Sequence, residues 1–262
     1  MNRTFLYVPA DRLDQLWPKA AASGVDAVIV DLEDGVAPSA KDIARTNLAR
    51  HLATAPSGPT LLVRIGVTDD LDLLESRPDV MVVLPKADPA TIGGIEHRLG
   101  RRRVTALVET ATGLIDLLAL ARHPAVERLA LGEADLRADL GLGEHADHVL
   151  WPIRTQLVVA SRVAELDPPV GPVATDWNDL ESLRRTSVLL RAAGFGGRSA
   201  IHPDQVATIA RVFRPSADEI AAARRLIELH ETAVAAGHGV SVDDRGRMID
   251  EAVVRSARRV LD

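Results

Sequence analysis

Short apolar runs alternate with longer amphipathic stretches along most of the chain. The runs are rich in Val, Leu and Ile, and the stretches between them carry Ala, Arg and Glu at helical spacing. This alternation predicts repeated βα units and a parallel sheet. Eight strands are predicted, at Thr4–Pro9, Asp26–Glu33, Pro59–Ile65, Val80–Lys86, Val104–Thr110, Arg128–Gly132, Pro169–Ala174 and Ser199–His202. Helices are predicted at 11–22, 38–53, 88–99, 112–122, 147–165 and 177–193, with a weaker one between the third and fourth strands.

Eight such units favour an α/β fold of the closed (β/α)8 TIM-barrel type over an open doubly wound sheet. No Gly-x-Gly-x-x-Gly follows the first strand, so the dinucleotide-binding alternative lacks its fingerprint. We therefore predict a catalytic barrel domain over 1–212 and a C-terminal helical extension, acting as a lid, over 213–262. In the extension, Ser216 caps a helix that runs to about 236, a loop or short hairpin follows, and a final helix covers 251–261.

Composition narrows the classes of partner. The formal net charge of −6 argues against a nucleic-acid surface, which needs a basic stripe. The chain has no cysteine, which excludes disulfides and thiolate metal sites. It shows no signal-peptide pattern and no apolar run long enough to cross a membrane. We expect a cytoplasmic protein.

Polar residues collect at the carboxyl ends of the predicted strands, which is where barrel enzymes place their active sites. The second strand ends in Asp31, Glu33 and Asp34, and the others contribute Arg64, Lys86, Glu109, Glu133 with Asp135, and His202. Carboxylates and cations therefore converge on one rim, whereas the charges at the opposite ends read as ordinary turn residues.

Glu109 ends an apolar run and is expected to be buried, where an ionised carboxylate needs compensation. A helix cap or a salt bridge would supply it. Asp135 follows the adjacent strand, and two oxygen ligands without a nearby Cys or His favour a hard cation, Mg²⁺ or alternatively Mn²⁺. We therefore predict Glu109 and Asp135 as metal ligands.

Arg64 ends the strand between those of Asp31 and Lys86, and its planar fork suits a carboxylate. A 2-oxo or 2-hydroxy acid fits such a site because its carboxylate and neighbouring oxygen chelate a metal together. Lys86 is either a substrate ligand or a rim salt bridge to Asp31, Glu33 or Asp34. His202 either contacts substrate or bonds a loop carbonyl.

With these residues in place, the chain resembles the citrate lyase beta-subunit-like proteins of the HpcH/HpaI aldolase group over nearly its whole length. The stretches that carry the resemblance are Phe5-Leu-Tyr-Val-Pro9, Val30-Asp-Leu-Glu-Asp-Gly-Val-Ala-Pro38 with Lys41 and Arg45, Val63-Arg-Ile65, Val83-Leu-Pro-Lys86, Leu107-Val-Glu-Thr-Ala-Thr-Gly113, Gly132-Glu-Ala-Asp-Leu136 with Asp139-Leu-Gly141, Ile201-His-Pro203 and Met248-Ile-Asp250. Each stretch is weak alone, and the ordered set is specific.

The resemblance implies a Mg²⁺-dependent homotrimeric barrel that cleaves or forms a carbon–carbon bond in 3-hydroxyacyl thioesters such as citryl-, malyl- or citramalyl-CoA. It implies that Glu109 and Asp135 bind the metal and that Arg64 binds the carboxylate of the acid. It also implies that Asp250 is the general acid or base on the lid. Glu33 and Lys86 join the substrate-binding candidates, and Tyr7, Ile201 and His202 match positions that contact substrate or CoA.

Several alternatives stay open at this point. Lysines found after the first strand in some CoA-dependent relatives are absent here, so the thioester carrier is either CoA or an acyl-carrier protein. A pyruvate aldolase would need the metal and Arg64 without CoA or Asp250. A non-catalytic thioester-binding protein would keep the metal site alone. Asp250 itself also reads as the cap of the final helix.

Overall fold

Eight parallel strands close into a barrel in the computed structural model, which describes residues 1–54, 57–143 and 146–261. Each strand pairs with the next along the chain, and β8 closes onto β1 with Phe5 opposite Ser199. The (β/α)8 fold is thus confirmed. The strands are β1 Thr4–Pro9, β2 Ala27–Asp31, β3 Thr60–Arg64, β4 Met81–Leu84, β5 Val104–Val108, β6 Val126–Leu131, β7 Asp167–Gly171 and β8 Gly197–Ala200.

Helices cover the outside of the barrel, and a 3₁₀ segment at Thr68–Leu74 stands where the weaker helix was predicted. Two helices of the described chain were not predicted. A short helix, Glu133–Asp139, begins just after the end of β6, and an amphipathic helix, Pro203–Phe213, begins at Pro203. The predicted helix 112–122 is broken at Asp116, which leaves the helical conformation. The helices are α1 Leu13–Ala22, α2 Lys41–Thr54, α3 Pro89–Leu99, α4 Ala111–Ile115, α5 Leu117–Ala121, α6 Glu133–Asp139, α7 Asp147–Val163, α8 Leu180–Ala193 and α9 Pro203–Phe213.

Two apolar clusters follow from the alternation of side chains along each strand. The larger one lies between the strands and the surrounding helices and includes Val28, Val63 and Val108. The smaller one fills the barrel interior. Its buried members are Phe5, Ala27, Ile29, Leu62, Val83, Leu107, Ala130 and Val170. Residues two positions beyond these interior side chains face the same way, towards the carboxyl-end mouth.

The described chain divides into two compact units, Asn2–Phe213 and a C-terminal unit of residues 214 onward with Met1. The second unit contains α10 Ala217–Ala235, a hairpin of β9 Ser241–Val242 and β10 Met248–Ile249, and α11 Glu251–Leu261. Ser216 and Glu219 form a capping box at the start of α10, as the Ser cap predicted. No helix within the described ranges is long and apolar enough to span a membrane.

Candidate active site

A cavity of about 290 Å³ opens at the carboxyl ends of the strands. Tyr7, Arg64 and Glu109 reach it because each lies two residues beyond an interior side chain, namely Phe5, Leu62 and Leu107. Of the predicted site residues, the cavity brings together Tyr7, Arg64, Glu109, Asp135 and Ile201. Its other lining residues are Pro9, Asp31, Asp34, Gly35, Leu107, Leu131, Gly132, Glu133, Ala134, Val173 and Ser199.

Arg64 is held in place by carboxylates from β2 and the loop after it. Its Nε and Nη2 donate to the two oxygens of Asp31 at 2.7 and 2.6 Å, and Nη1 lies 2.7 Å from Glu33 Oε2. Its guanidinium also stands 5.1 Å from the Tyr7 ring centroid. Burial opposes the charge of Arg64, but the hydrogen bonds and charge of Asp31 outweigh it and raise the pKa of the guanidinium. A permanently charged, oriented cation therefore lines the cavity.

Lys86 lies at the margin of the site and pairs with Glu33, with Asp34 3.6 Å away. Of the two interpretations of Lys86, substrate ligand or rim salt bridge, the structure contains the salt bridge. The backbone of Lys86 adopts the left-handed conformation, with φ of 47°. In that conformation its N–H donates to Glu109 Oε1 at 2.8 Å. Lys86 thus links the β2 loop to the buried carboxylate of β5.

Glu109 is buried, with 1% of its surface exposed. Burial is the main cause that raises the pKa of its carboxyl to about 8, and the nearby negative charges of Glu33 and Asp135 add to it, although the Lys86 N–H opposes the shift. Such a carboxylate is poorly compensated by the protein alone.

Asp135 lies on α6 and lines the same cavity, half-buried. Among the described residues no group of three or more His, Cys, Asp or Glu side chains is arranged to hold a metal. Two carboxylates, one of them with a raised pKa, fit a hard divalent cation that takes its remaining oxygens from water or substrate. The residues present therefore fit Mg²⁺.

Gly132 allows the Glu109 carboxylate its position. A Cβ atom at residue 132 would lie 2.7 Å from Glu109 Cβ and closer still to its Oε2. The backbones of Gly132 and Glu109 are rigidly placed because each residue directly follows one of two paired parallel strands, β6 and β5, in which Val108 lies opposite Leu131. Glycine is the residue that fits at the end of β6 next to this side chain.

Glu133 is committed to another partner. Its two oxygens accept hydrogen bonds from Nε and Nη2 of Arg154 on α7, at 2.6 and 2.8 Å. Arg154 stacks in turn over the Trp151 ring at 4.6 Å. The neighbouring acids Glu133 and Asp135 both line the cavity but differ in pairing, since Arg154 neutralises Glu133 alone.

His202 and Asp250 are the other predicted residues, and each has its own local contacts. His202 stacks on Trp177, with ring centroids 4.2 Å apart, and is not among the residues that line the cavity. The N–H groups of Ile201 and His202 donate to Gln205 Oε1 at 2.9 and 3.2 Å. Asp250 belongs to the C-terminal unit, where its Oδ1 accepts the Val253 N–H at 3.0 Å and caps α11.

Sequence reasoning did not assign roles to Asp31, Lys41 and Gly132. Asp31 orients Arg64, and Lys41 donates to the carbonyl oxygens of Leu32 and Glu33 at 2.7 and 2.6 Å, which fixes the loop after β2. The sequence contained a signal for each of these three residues. Asp31 ends a strand, Lys41 follows the acidic stretch by less than three turns, and Gly132 stands directly before two acids.

Fold and site together define a (β/α)8 barrel of the enzyme type, with a polar cavity at the carboxyl ends of its strands where Arg64, Glu109 and Asp135 meet. Residues 3–203 match the HpcH/HpaI aldolase/citrate lyase family, and the chain belongs to that family.

Three relatives illustrate the similarity. The chain is 31% identical over 300 residues to an L-malyl-CoA/beta-methylmalyl-CoA lyase of Cereibacter sphaeroides, covering 99% of this chain and 93% of the relative. It is 30% identical over 267 residues to a (3S)-malyl-CoA thioesterase of the same species, with the same coverage. The structure of CitE from Mycobacterium tuberculosis in complex with magnesium, acetoacetate and coenzyme A superposes with a TM-score of 0.81 at 32% identity, covering 99% of this chain and 97% of that one.

Proposed function

We propose that the chain is a Mg²⁺-dependent acyl-CoA lyase that cleaves or forms the carbon–carbon bond of a 3-hydroxyacyl-CoA thioester. The products of cleavage are acetyl-CoA, or a related acyl-CoA, and a 2-oxo acid. The observation that carries the proposal is the buried Glu109 beside Asp135 in a cavity that also contains the fixed cation of Arg64. The named relatives act on or bind CoA compounds, one of them together with magnesium.

The protein's part in the reaction follows from these groups. Arg64 binds the carboxylate of the oxo-acid half, using N–H groups beyond those that Asp31 and Glu33 occupy. Asp31 and Tyr7 keep its guanidinium plane fixed, so the substrate meets a preoriented fork. Glu109 and Asp135 hold the cation, which when bound polarises the oxygen that becomes the keto group.

We assign the proton transfer to the α-carbon of the acyl-CoA half to Asp250. The similarity to the lyase extends over 99% of this chain, which includes the C-terminal unit. In that unit the sequence Met248-Ile-Asp250 places a carboxylate directly before α11. General acid–base catalysis requires this carboxylate to come within hydrogen-bond reach of the reacting carbon.

The Asp250→Asn variant separates proton transfer from capping. Asn caps a helix about as well as Asp, so thermal stability should stay near normal, whereas thioester cleavage should fall about 10²-fold or more. The matched control is Asp88→Asn, because Asp88 caps α3 in the same way through the Thr91 N–H. The control should cleave normally. Normal cleavage by Asp250→Asn would reduce Asp250 to a cap and favour a pyruvate aldolase that needs only the metal and Arg64.

We propose a malyl-type thioester as the substrate, since the two curated relatives described above both act on malyl-CoA. The two named activities, lyase and thioesterase, break different bonds of the thioester. Cleavage of the carbon–carbon bond releases glyoxylate and acetyl-CoA, whereas hydrolysis releases malate and free CoA thiol.

Purified protein with Mg²⁺ should be incubated with malyl-, citramalyl- and citryl-CoA, and the products measured as oxo acid and as free thiol. We expect oxo acid and acyl-CoA in equal amounts without free thiol. Free thiol without oxo acid would instead establish a thioesterase. If neither product forms from any of the three while the thioesters bind, the protein is a non-catalytic thioester-binding protein.

We further propose a homotrimer located in the cytoplasm. Support for self-association comes from large apolar side chains that α7 exposes, Val149, Val159 and Val163.

A further inference from the structure

A second cavity, of about 480 Å³, lies behind the carboxyl ends of β6 and β7, between α6, α7 and α8. It is distinct from the candidate active site, although Glu133, Ala134 and Val173 contribute to the walls of both. Its inner wall includes Arg198 of β8, a residue to which the proposed lyase reaction gives no role.

Arg198 is buried, with 4% of its surface exposed, and every acceptor that it contacts in the described residues is neutral. Its Nε donates to Pro172 O at 2.8 Å. Its Nη1 donates to Leu183 O, Thr186 Oγ1 and Ser187 Oγ at 3.2, 2.7 and 2.9 Å. The Nη2 amino group has no acceptor among these contacts. A buried guanidinium without a carboxylate is unusual, because buried charges are normally paired.

The acids that line the cavity are already engaged. Glu133 forms its two-pronged pair with Arg154, and Asp147 pairs with Arg137. At the mouth, Asp176 accepts the Asn178 N–H and Asp179 accepts the Ser182 N–H, which caps α8. Burial lowers the pKa of Arg198 to about 10, and the positive charge of Arg154 opposes the partial compensation that Glu133 gives. Among the described residues, no carboxylate thus forms a hydrogen bond or ion pair with Arg198.

The neighbouring strand offers no counter-ion either. Gly171 of β7 is the register partner of Arg198, and a Cβ atom built there would lie 3.6 Å from Arg198 Cγ. A side chain at position 171 would therefore run beside that of Arg198, and glycine supplies none.

We propose that this second cavity is a binding site for a small oxyanion, a carboxylate or a phosphate, which pairs with the guanidinium of Arg198. The ligand uses the Nη2 donors, which none of the contacts among the described residues occupies. A planar guanidinium is suited to both kinds of anion, because each presents two oxygens at the spacing of the fork.

The test compares wild-type protein with Gly171→Asp and Gly171→Asn. Both side chains have the same shape and the same contact with the flexible end of Leu190, 2.9 Å from the added Cβ. Only Asp brings a negative charge to Arg198. Calorimetric titrations of the full chain with inorganic phosphate and with acetate, in EDTA and at constant ionic strength, show which anion is preferred.

We expect one phosphate or acetate per wild-type chain, with affinity reduced at least about tenfold in Gly171→Asp and largely kept in Gly171→Asn. Absence of saturable binding of both anions to wild type would overturn the proposal. So would undiminished binding by Gly171→Asp, since that result places the anion away from Arg198. If Gly171→Asp does not fold, Arg198→Gln takes its place and must lose the binding.

Discussion

The proposed metal site depends on the buried carboxylate of Glu109. In Glu109→Gln the amide oxygen can still accept the Lys86 N–H, while the carboxylate that would bind the cation is removed. The metal-free variant should therefore be at least as stable as wild type, but Mg²⁺ with a 2-oxo acid should no longer raise its melting temperature. Thermal unfolding with Mg²⁺ and with EDTA measures both effects.

Glu133→Gln is the control for that variant, since Glu133 stands at the same rim but is paired with Arg154. It should lose some stability and keep its response to Mg²⁺. A Mg²⁺ response that persists in Glu109→Gln would remove Glu109 from the metal site.

Arg64→Lys tests the carboxylate clamp. Lysine keeps the charge but cannot reproduce the two-pronged contact with Asp31, so its ammonium should not hold the position of the guanidinium. We expect oxo-acid binding to weaken about tenfold or more, with Mg²⁺ binding unchanged, as measured by calorimetry with pyruvate.

The matched control is Arg77→Lys, because Arg77 makes the same two-pronged contact with Asp79 at the surface. It should bind pyruvate normally. Equal affinities in Arg64→Lys and wild type would show that Arg64 serves only Asp31 and Glu33.

At this scale the sequence predicted which residues stand at the rim but not how they pair. Strand ends and residue types placed Arg64, Glu109 and Asp135 in one cavity. The pairing of Arg64 with Asp31, and of Glu133 with Arg154, depends on side-chain directions across strands and a helix 21 to 33 residues apart in sequence. Spacing along a chain does not give those directions.

Among the elements, β1 and β2 are joined at the amino-terminal end by Asp26. Its Oδ2 accepts from the N–H groups of Arg3 and Thr4 and from the Thr4 hydroxyl, at 3.0, 2.9 and 2.9 Å. Asp26→Ala should lower the free energy of unfolding by about 2–4 kcal/mol, since charged hydrogen bonds are lost. Because this end of a barrel serves stability, kcat of the folded variant should be unchanged.

Denaturant unfolding and cleavage assays on the same preparation check this expectation. A normal unfolding midpoint would show that other contacts of β1 make the Asp26 bonds redundant. A reduced kcat in fully folded protein would show that the two ends of the barrel are coupled.

The two unpredicted helices, α6 and α9, differ in the signal that their sequences carry. In α9, Val206, Ile209 and Phe213 are buried at helical spacing, so the signal was available. In α6, Glu133 and Asp135 were interpreted as chemistry at a strand end, although the same residues lie in the first turn of a helix. Strands such as β2 and β5 were predicted more reliably because they are buried on both faces and consist mainly of apolar residues. The predicted range of β8 was displaced by two residues because its sequence, Gly-Arg-Ser-Ala, is not an apolar run.

For the whole molecule, the proposed trimer predicts a mass three times that of the 28.1 kDa chain. Light scattering after size exclusion measures it, at two protein concentrations and two salt concentrations. Because the expected contact is apolar, the mass should be insensitive to salt. A monomer mass at both concentrations would leave the apolar side chains of α7 exposed to water and would contradict the proposal.

Gly132 has a consequence for the reading of related chains. Glu109 and Asp135 are the acids by which the proposed cation site would be recognised in related chains, yet a single methyl group at position 132 would clash with the Cβ and the carboxylate of Glu109. A chain could therefore keep both acids and still lose the ability to bind the ion. During divergence, one substitution of the glycine would displace the Glu109 side chain while both acids remain in the sequence.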